Sequence, residues 1–236
     1  MRRVLLLILA VLALPVQALE LKPFSASYTA DWKQVPVSGT AQRSLEKVDA
    51  ETWRLDFEAS MLVASFNERS TFKIEGERFI PQSYRLKRSG LGRGKTISHE
   101  FDWQAKKVIG EDRGDSVELP LNTGLLDKST YQIALQHAVA AGEKSMSYQV
   151  VDGDEIETYD FRVLGEEAVS TKAGQVDAIK VERVRDPTQS KRQTILWFAR
   201  DWDFLLVRLH QIEKDGKEYQ IMLQEGTVDG RTVKGN

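Results

Sequence analysis

Strict alternation of apolar and polar residues covers most of the chain and predicts β-strands. From Phe24 to Trp32 every second residue is apolar, and the residues between are Ser, Thr or Asp. The stretch 53–63 repeats the pattern, so each stretch buries one face and exposes the other, as strands of an antiparallel sheet do. The same pattern predicts strands at 66–74, 79–88, 96–103, 107–113, 117–121, 146–151, 156–164, 176–184, 193–198, 204–212 and 218–223.

One stretch, 125–142, departs from the alternation and predicts a helix. Between Ser129 and Gly142 it holds no charged residue, although 29% of the chain is charged. Asp127 or Ser129 can cap its start, with Gln132 placed as in a capping box, and Gly142 can end it. Because no face is strongly solvated, we expect the helix to be covered on most sides.

About a dozen short strands and one uncharged helix predict a mainly β fold. A strongly curved antiparallel sheet, or a partly closed β-barrel or roll, with the helix on its concave side would bury both the apolar faces of the strands and the helix. A two-layer β-sandwich with an external helix is the alternative. The Asp-Gly pairs at 152–153 and 215–216 predict tight hairpin turns. No linker interrupts the pattern, so 19–236 is expected to be a single β-rich domain.

The N-terminus predicts export. Arg2 and Arg3 precede an apolar run that ends near Val16, and Ala18 completes a small-residue cleavage pattern. We therefore predict a signal peptide over 1–18, cleavage after Ala18 and a periplasmic protein with no integral membrane span after cleavage. The chain has no Cys and hence no disulfides, and its net charge of −2 argues against nucleic acid as a partner.

The C-terminal third carries a family resemblance. The features that carry it are the strand Val176–Val181, Leu196-Trp197-Phe198 followed by Asp201, a strand with Arg208 and the Asp215-Gly216 hairpin, together with 126–131 at the helix start. Together they resemble domain-of-unknown-function family 3108, a family of exported bacterial proteins, over nearly the whole mature chain. The resemblance implies a β-rich fold and periplasmic residence. It implies no activity and no catalytic residue.

Motifs for catalysis, metals and cofactors are weak. The segment Ser89–Thr96 ends like a phosphate-binding loop, but it lacks the first Gly and lies between two strand patterns. There is no nucleophile elbow, and the His residues lack metal-ligand spacing. We therefore predict no catalytic residue, no metal, no cofactor and no enzyme; a hydrolase remains the less favoured alternative. Two basic clusters, one at 85–95 and one at 183–192, are typical of solvated strand tips or of a dock for an anionic headgroup, glycan or partner.

The apolar faces and the uncharged helix suggest a non-enzymatic envelope protein. The leading hypothesis is an apolar groove that binds or carries a lipid, a lipidated protein or another amphipathic envelope component. The alternative is a structural or assembly partner of another envelope protein, bound through a strand edge or the basic tips. By alternation His210 shares a face with Leu206 and Arg208. The expected ligand-binding residues are Gln132, Gln136, His99, Arg208 and His210.

Overall fold

The computed structural model describes residues 20–32, 38–61, 64–90, 94–188 and 190–236, so the predicted signal peptide lies outside the described residues. Within this part of the chain sixteen strands form one sheet that surrounds one α-helix. The strands are β1 (Phe24–Trp32), β2 (Ser38–Lys47), β3 (Thr52–Met61), β4 (Ala64–Glu75), β5 (Arg78–Ser89), β6 (Lys95–Asp102), β7 (Lys107–Asp112), β8 (Asp115–Pro120), β9 (Leu125–Asp127), β10 (Ser145–Asp152), β11 (Glu155–Thr171), β12 (Gly174–Val184), β13 (Gln193–Ala199), β14 (Leu205–Ile212), β15 (Glu218–Val228) and β16 (Arg231–Thr232). The helix is α1 (Thr130–Ala140), and a short 3₁₀ helix spans Arg200–Trp202.

The strands form two meanders joined at their first and last members. β1 to β8 follow one another on one side, β9 to β15 on the other, and β1 pairs with β15. β16 adds to β15, and neighbours are antiparallel except for the parallel pair of β9 and β10. The order therefore has β8 at one end and β9 at the other.

Side-chain bonds bring the two ends of this order together. His99 on β6 places Nε2 2.8 Å from the carbonyl oxygen of Gly153, in the turn between β10 and β11. Because a carbonyl only accepts, Nε2 carries the proton. Ser70 on β4 donates to Asp127 Oδ2 on β9 at 2.7 Å. We call these contacts the seam. The partly closed, strongly curved sheet is thus confirmed, and the two-layer sandwich is not the arrangement found.

Helix α1 is covered on most sides, as predicted. Ile133 and Leu135 lie on different sides of the helix and are 1% and 0% exposed. Each belongs to a different apolar cluster of the sheet interior. Gly142 follows the helix with φ +86°, and Glu143 donates its N–H to the Ala138 carbonyl at 3.0 Å, so the predicted stop is confirmed.

The predicted start of the helix is wrong in two respects. Residues 125–127 are not helical but form β9, because their backbone pairs with 149–151. The capping box with Gln132 is also absent from this start, since the Ser129 N–H donates to Asp127 Oδ1 and Gln132 donates to the Lys128 carbonyl. The alternation also missed β2, β9 and β16, and it ended β11 seven residues early.

The interior is filled at one end of the molecule and half open at the other. We call the end where residues 20–23 and 200–204 meet α1 the helix end, and the end with the turns after β10, β12 and β14 the loop end. Along β1 the inward residues Phe24, Ala26 and Tyr28 are at most 5% exposed, whereas Ala30 and Trp32 are half-buried. The same gradient runs along β3, β4, β14 and β15.

Candidate functional site

The half-buried inward residues gather at the loop end, and we call this surface the loop-end face. Its members are mainly aromatic and aliphatic. Trp32 stacks on Tyr219 with ring centroids 5.6 Å apart, and Phe57 meets Phe66 edge-on at 5.8 Å. The loop-end face comprises Ala30, Trp32, Phe57, Phe66, Tyr131, Leu209, Tyr219 and Ile221. Large apolar side chains left half-exposed on a concave surface are typical of binding sites for apolar molecules.

Tyr131 extends from the first turn of α1 to the base of this face. Its ring lies 5.1 Å from that of Tyr159, edge-on, and stacks on Phe161 at 5.7 Å. Burial raises the pKa of Tyr131 to about 12, so the phenol stays protonated at neutral pH and can donate a hydrogen bond.

Arginine side chains accompany these aromatic residues. Arg43, on β2, pairs across the strands with Phe57 and is 3% exposed, and its guanidinium lies 5.1 Å from the ring centroid of the buried Phe24. Arg183, on β12, stacks on Tyr159 at 3.2 Å from the ring centroid and donates to Glu157 at 3.2 Å. Arg185, at the end of β12, donates to the Thr194 hydroxyl. The chain therefore places three cations beside an apolar surface.

Carboxylates near the face are held in structural bonds. Glu68, on β4, accepts from the Tyr84 hydroxyl at 2.6 Å, and burial raises the pKa of Glu68 to about 7. Asp152 accepts from Lys128 and from Tyr159, both at 2.6 Å. Although burial opposes it, these bonds lower the Asp152 pKa. Carboxylates bonded in this way serve the fold, and Lys128 partly cancels the charge of Asp152.

The structure places the residues predicted to bind a ligand in different regions. His99 is fully buried in the seam, and burial lowers its pKa. Gln136 donates to the Asp203 carbonyl at the helix end, while Gln132 donates to the carbonyl of Lys128, just before α1. Arg208 stacks on Trp197 at 4.5 Å, and His210 lies 3.0 Å from Glu218. The five side chains thus do not converge on one site.

Arg208 and His210 lie on the face of the sheet that points away from α1. Leu196 and Leu209 pair across β13 and β14 and pack with the helix, so their neighbour Arg208 points the other way. The prediction that Leu206 shares this face is wrong. A β-bulge at Val207 adds one residue to β14 and shifts the alternation by one position.

A small cleft lies beside α1 at the helix end. It has a volume of about 170 Å³ and is lined by Ile133, Gln136, His137, Trp202 and Phe204, among others. Ligand pockets of proteins usually measure about 300–1,000 Å³. The cleft is thus smaller than a typical ligand site, and the loop-end face is the stronger candidate.

Sequence reasoning missed Arg43 and Glu68. The available signal was a charged residue at an inward position of an alternating strand, between Ala41 and Leu45 for Arg43 and between Phe66 and Ser70 for Glu68. Strand β2 was not predicted, so the first signal could not be read. Arg183 and Arg185 were recognised only as part of a basic cluster.

The described residues offer neither a metal-ligand cluster nor a membrane-spanning helix. No group of three or more His, Asp or Glu side chains there is arranged to hold a metal ion. No helix in the same ranges is long and apolar enough to cross a membrane.

Comparisons with known proteins agree with this architecture. A crystal structure described as a beta-barrel-like protein of domain of unknown function DUF1849, from Brucella abortus, aligns with a TM-score of 0.59 at 10% sequence identity. The alignment covers 89% of this chain and 99% of that one, and such a likeness concerns the fold alone. No curated protein matches. The model of the family described as "Protein of unknown function (DUF3108)" matches residues 27–224, so the chain belongs to the DUF3108 family.

Proposed function

We propose that this protein is a non-enzymatic periplasmic binding protein that holds an amphipathic envelope lipid against its loop-end face. The observation that carries the proposal is the exposure gradient along the strands. Inward residues are sealed at the helix end, while Trp32, Phe57 and Tyr219 are left half-buried at the loop end. Covering such side chains with an alkyl chain is favourable by about 25 cal/mol per Å² of apolar surface removed from water.

The charges beside the face also favour an amphiphile over a fully apolar ligand. Arg183 and Arg185 lie next to an open cleft of about 710 Å³ at the loop end, which Lys191 and Arg192 also line. A ligand with an apolar chain and a polar head would place the chain on the loop-end face and the head near Arg183 and Arg185. Recognition of this kind needs no reacting groups, which is why we propose binding and not catalysis.

The rival function, docking of an envelope protein on a strand edge, has one observation in its favour. Within the described residues β8 pairs with β7 alone, so its other edge carries free backbone groups. However, β8 has only six residues, ends at Pro120 and carries Asp115 and Glu118. Short length, Pro and charge are the features that protect an edge from strand addition. We therefore favour ligand binding.

The test is to purify the protein from its own periplasm under native conditions and to record native mass spectra before and after organic extraction. We expect an added mass that extraction removes and that mass spectrometry identifies as an amphiphile. If the added mass is instead a lipidated protein, the result would favour a lipidated protein over a free lipid as the ligand of the same face. The protein that extraction has freed of its ligand, called the extracted protein below, should bind the neutral dye N-phenyl-1-naphthylamine. The recovered amphiphile should displace this dye.

Two matched variants locate the binding. Phe57→Asn should weaken dye binding, because it removes an aromatic ring from the loop-end face. Ile109→Asn should leave it unchanged, because Ile109 is a 46% exposed residue on β7. No extractable amphiphile together with no dye binding would refute the proposed function.

A further inference from the structure

Arg43 has hydrogen-bonding capacity that the fold does not use. The side chain is 3% exposed, and its Nη1 has no hydrogen-bond partner among the residues that the structure describes. Burial of the charged group lowers the pKa of Arg43, yet a guanidinium remains protonated in proteins. A buried N–H without an acceptor is costly, so such a group in a native protein points to a missing partner.

Arg183 and Arg185 show the same feature on the facing strand. Arg183 Nε is buried and finds no hydrogen-bond partner in the described part of the chain, although Nη2 of the same side chain reaches Glu157. Arg185 is half-buried and bonds to the neutral Thr194 hydroxyl. Burial, with the nearby cations Arg183 and Arg192, lowers the pKa of Arg185 to about 10. Within the described residues Arg185 has no bonded carboxylate, and Arg183 has one, Glu157, which its Nη2 reaches while its Nε stays unpaired.

The three arginines converge although four strands separate β2 from β12 in the sheet. Arg183 stacks on Tyr159, whose ring lies 5.1 Å from that of Tyr131, and Arg43 and Arg185 also lie close enough to Tyr131 for its ionisation to be coupled to theirs. The acidic groups facing them are already bonded: Glu68 to Tyr84, Asp152 to Lys128 and Tyr159, and Glu157 to Arg183. Arg43 and Arg185 therefore keep positive charge that no bonded carboxylate of the described residues cancels, and Arg43 Nη1 and Arg183 Nε remain unused donors.

We propose that Arg43, Arg183 and Arg185 form a subsite for the anionic group, a carboxylate or a phosphate, of the molecule bound at the loop-end face. The inference rests on the proposed function and specifies its ligand as an anionic amphiphile. Guanidinium groups suit this task because their N–H donors match the geometry of carboxylate and phosphate oxygens. The ligand head would supply the acceptors that Arg43 Nη1 and Arg183 Nε lack, and Tyr131 would add a neutral donor.

The experiment compares ligands that share one chain and differ in the head. Calorimetry on the extracted protein, below the critical micelle concentrations, measures binding of dodecanoate, dodecyl phosphate and neutral monododecanoylglycerol. We expect at least one of the two anions to bind at least about tenfold more tightly than the neutral ester, since each charge-assisted hydrogen bond can contribute such a factor. Which of them binds more tightly identifies the head as a carboxylate or a phosphate.

Variants assign the effect to the subsite. Arg185→Gln and Arg183→Gln should each remove most of the preference for the anion and leave the affinity for the neutral ester unchanged. Arg43→Lys, which keeps a charge in the buried position, provides a further variant whose folding is checked by circular dichroism. Arg85→Gln is the matched control, because Arg85 is an exposed residue of β5 paired with Glu100, and it should change nothing.

The outcomes separate the two proposals. Equal affinities for charged and neutral amphiphiles, unaffected by Arg183→Gln and Arg185→Gln, would overturn the subsite and leave the proposed function standing. Binding of inorganic phosphate that depends on Arg185, without binding of any amphiphile, would overturn the proposed function and retain an anion site. Absence of binding by all probes would overturn both.

Discussion

Asp127 shows how one residue links the sheet to the helix. It is fully buried, and its Oδ1 accepts the N–H groups of Ser129 and Thr130, both at 2.8 Å. Its Oδ2 accepts the hydroxyls of Ser70 and Thr130 at 2.7 and 2.6 Å. Burial raises the pKa of Asp127, and these bonds oppose the rise. The sequence predicted its capping role but not its bond to β4, because that bond depends on the closure of the sheet.

Replacing Asp127 tests this link. Asp127→Ala should lower the free energy of unfolding by about 2–4 kcal/mol, because it removes a helix cap and leaves buried donors without acceptors. Asp127→Asn should cost less, since its amide oxygen can still accept both N–H groups. Urea unfolding measures both variants. Equal losses for the two would show that charge, and not the acceptor geometry, is what the site requires.

Glu68 gives the stability a predictable pH dependence. Burial raises its pKa from 4.5 to about 7, so the folded protein binds this proton more tightly than the unfolded chain does. The stabilisation of the folded state by this proton is fully present below pH 4.5 and is lost as the pH rises through about 7. The change should amount to about 3 kcal/mol, from about 1.36 kcal/mol per pKa unit.

Glu68→Gln should remove this dependence. As the pH rises from 4.5 to 8, the unfolding free energy of the wild type is expected to fall relative to that of the variant. Urea titrations at four or five pH values measure it. Parallel curves for the two proteins would mean that Glu68 titrates normally and is not a buried acid.

At the scale of elements, the sequence predicted those strands whose bounds follow from the local alternation of apolar and polar residues. The bounds of β1 agree with the predicted stretch because its alternation is unbroken. β2 was missed because Arg43 occupies an inward position and conceals its alternation. β9 was taken as helix because its three buried residues carry no period, and only pairing with β10 makes them a strand. The inward arginine that concealed β2 is also part of the candidate site.

The packing of α1 predicts a large cost for truncating its core side chain. Leu135 is 0% exposed and packs with Leu196, Phe198 and Leu206. Leu135→Ala should lower the unfolding free energy by about 2–5 kcal/mol, the range for large-to-small core changes. Val184→Ala, at a 41% exposed strand position, should stay within about 0.5 kcal/mol. Similar urea midpoints for both variants would contradict the packing described for the helix.

At the scale of the whole molecule, closure depends on contacts between distant parts of the chain. The seam bond joins His99 to Gly153, 54 residues apart, and β1 pairs with β15 near the two ends of the described part of the chain. Such contacts leave no periodic signal in the sequence. The fold class was predictable from strand number and helix character, whereas the converging arginines appear only when the sheet has closed.

His99 is the residue that tests closure. His99→Ala removes the bond to Gly153 and the stacking on Tyr84, whose ring centroid lies 5.7 Å away. Amide hydrogen exchange should accelerate in β9 and β10, next to the seam, much more than in β1 and β15. His210→Ala is the control, because His210 lies on the outward face. Uniform acceleration across all strands would show global destabilisation and no special role for the seam.

We place the ligand on the loop-end face, and mapping its binding site tests this placement most directly. The extracted protein is loaded with dodecanoic acid that carries a diazirine at the chain end, irradiated and digested, and the labelled peptides are sequenced by mass spectrometry. We expect label on peptides that contain Trp32, Phe57 or Tyr219, and its loss when unlabelled dodecanoate competes. Label concentrated on Gln136 and Trp202, beside the small cleft at the helix end, would contradict the account.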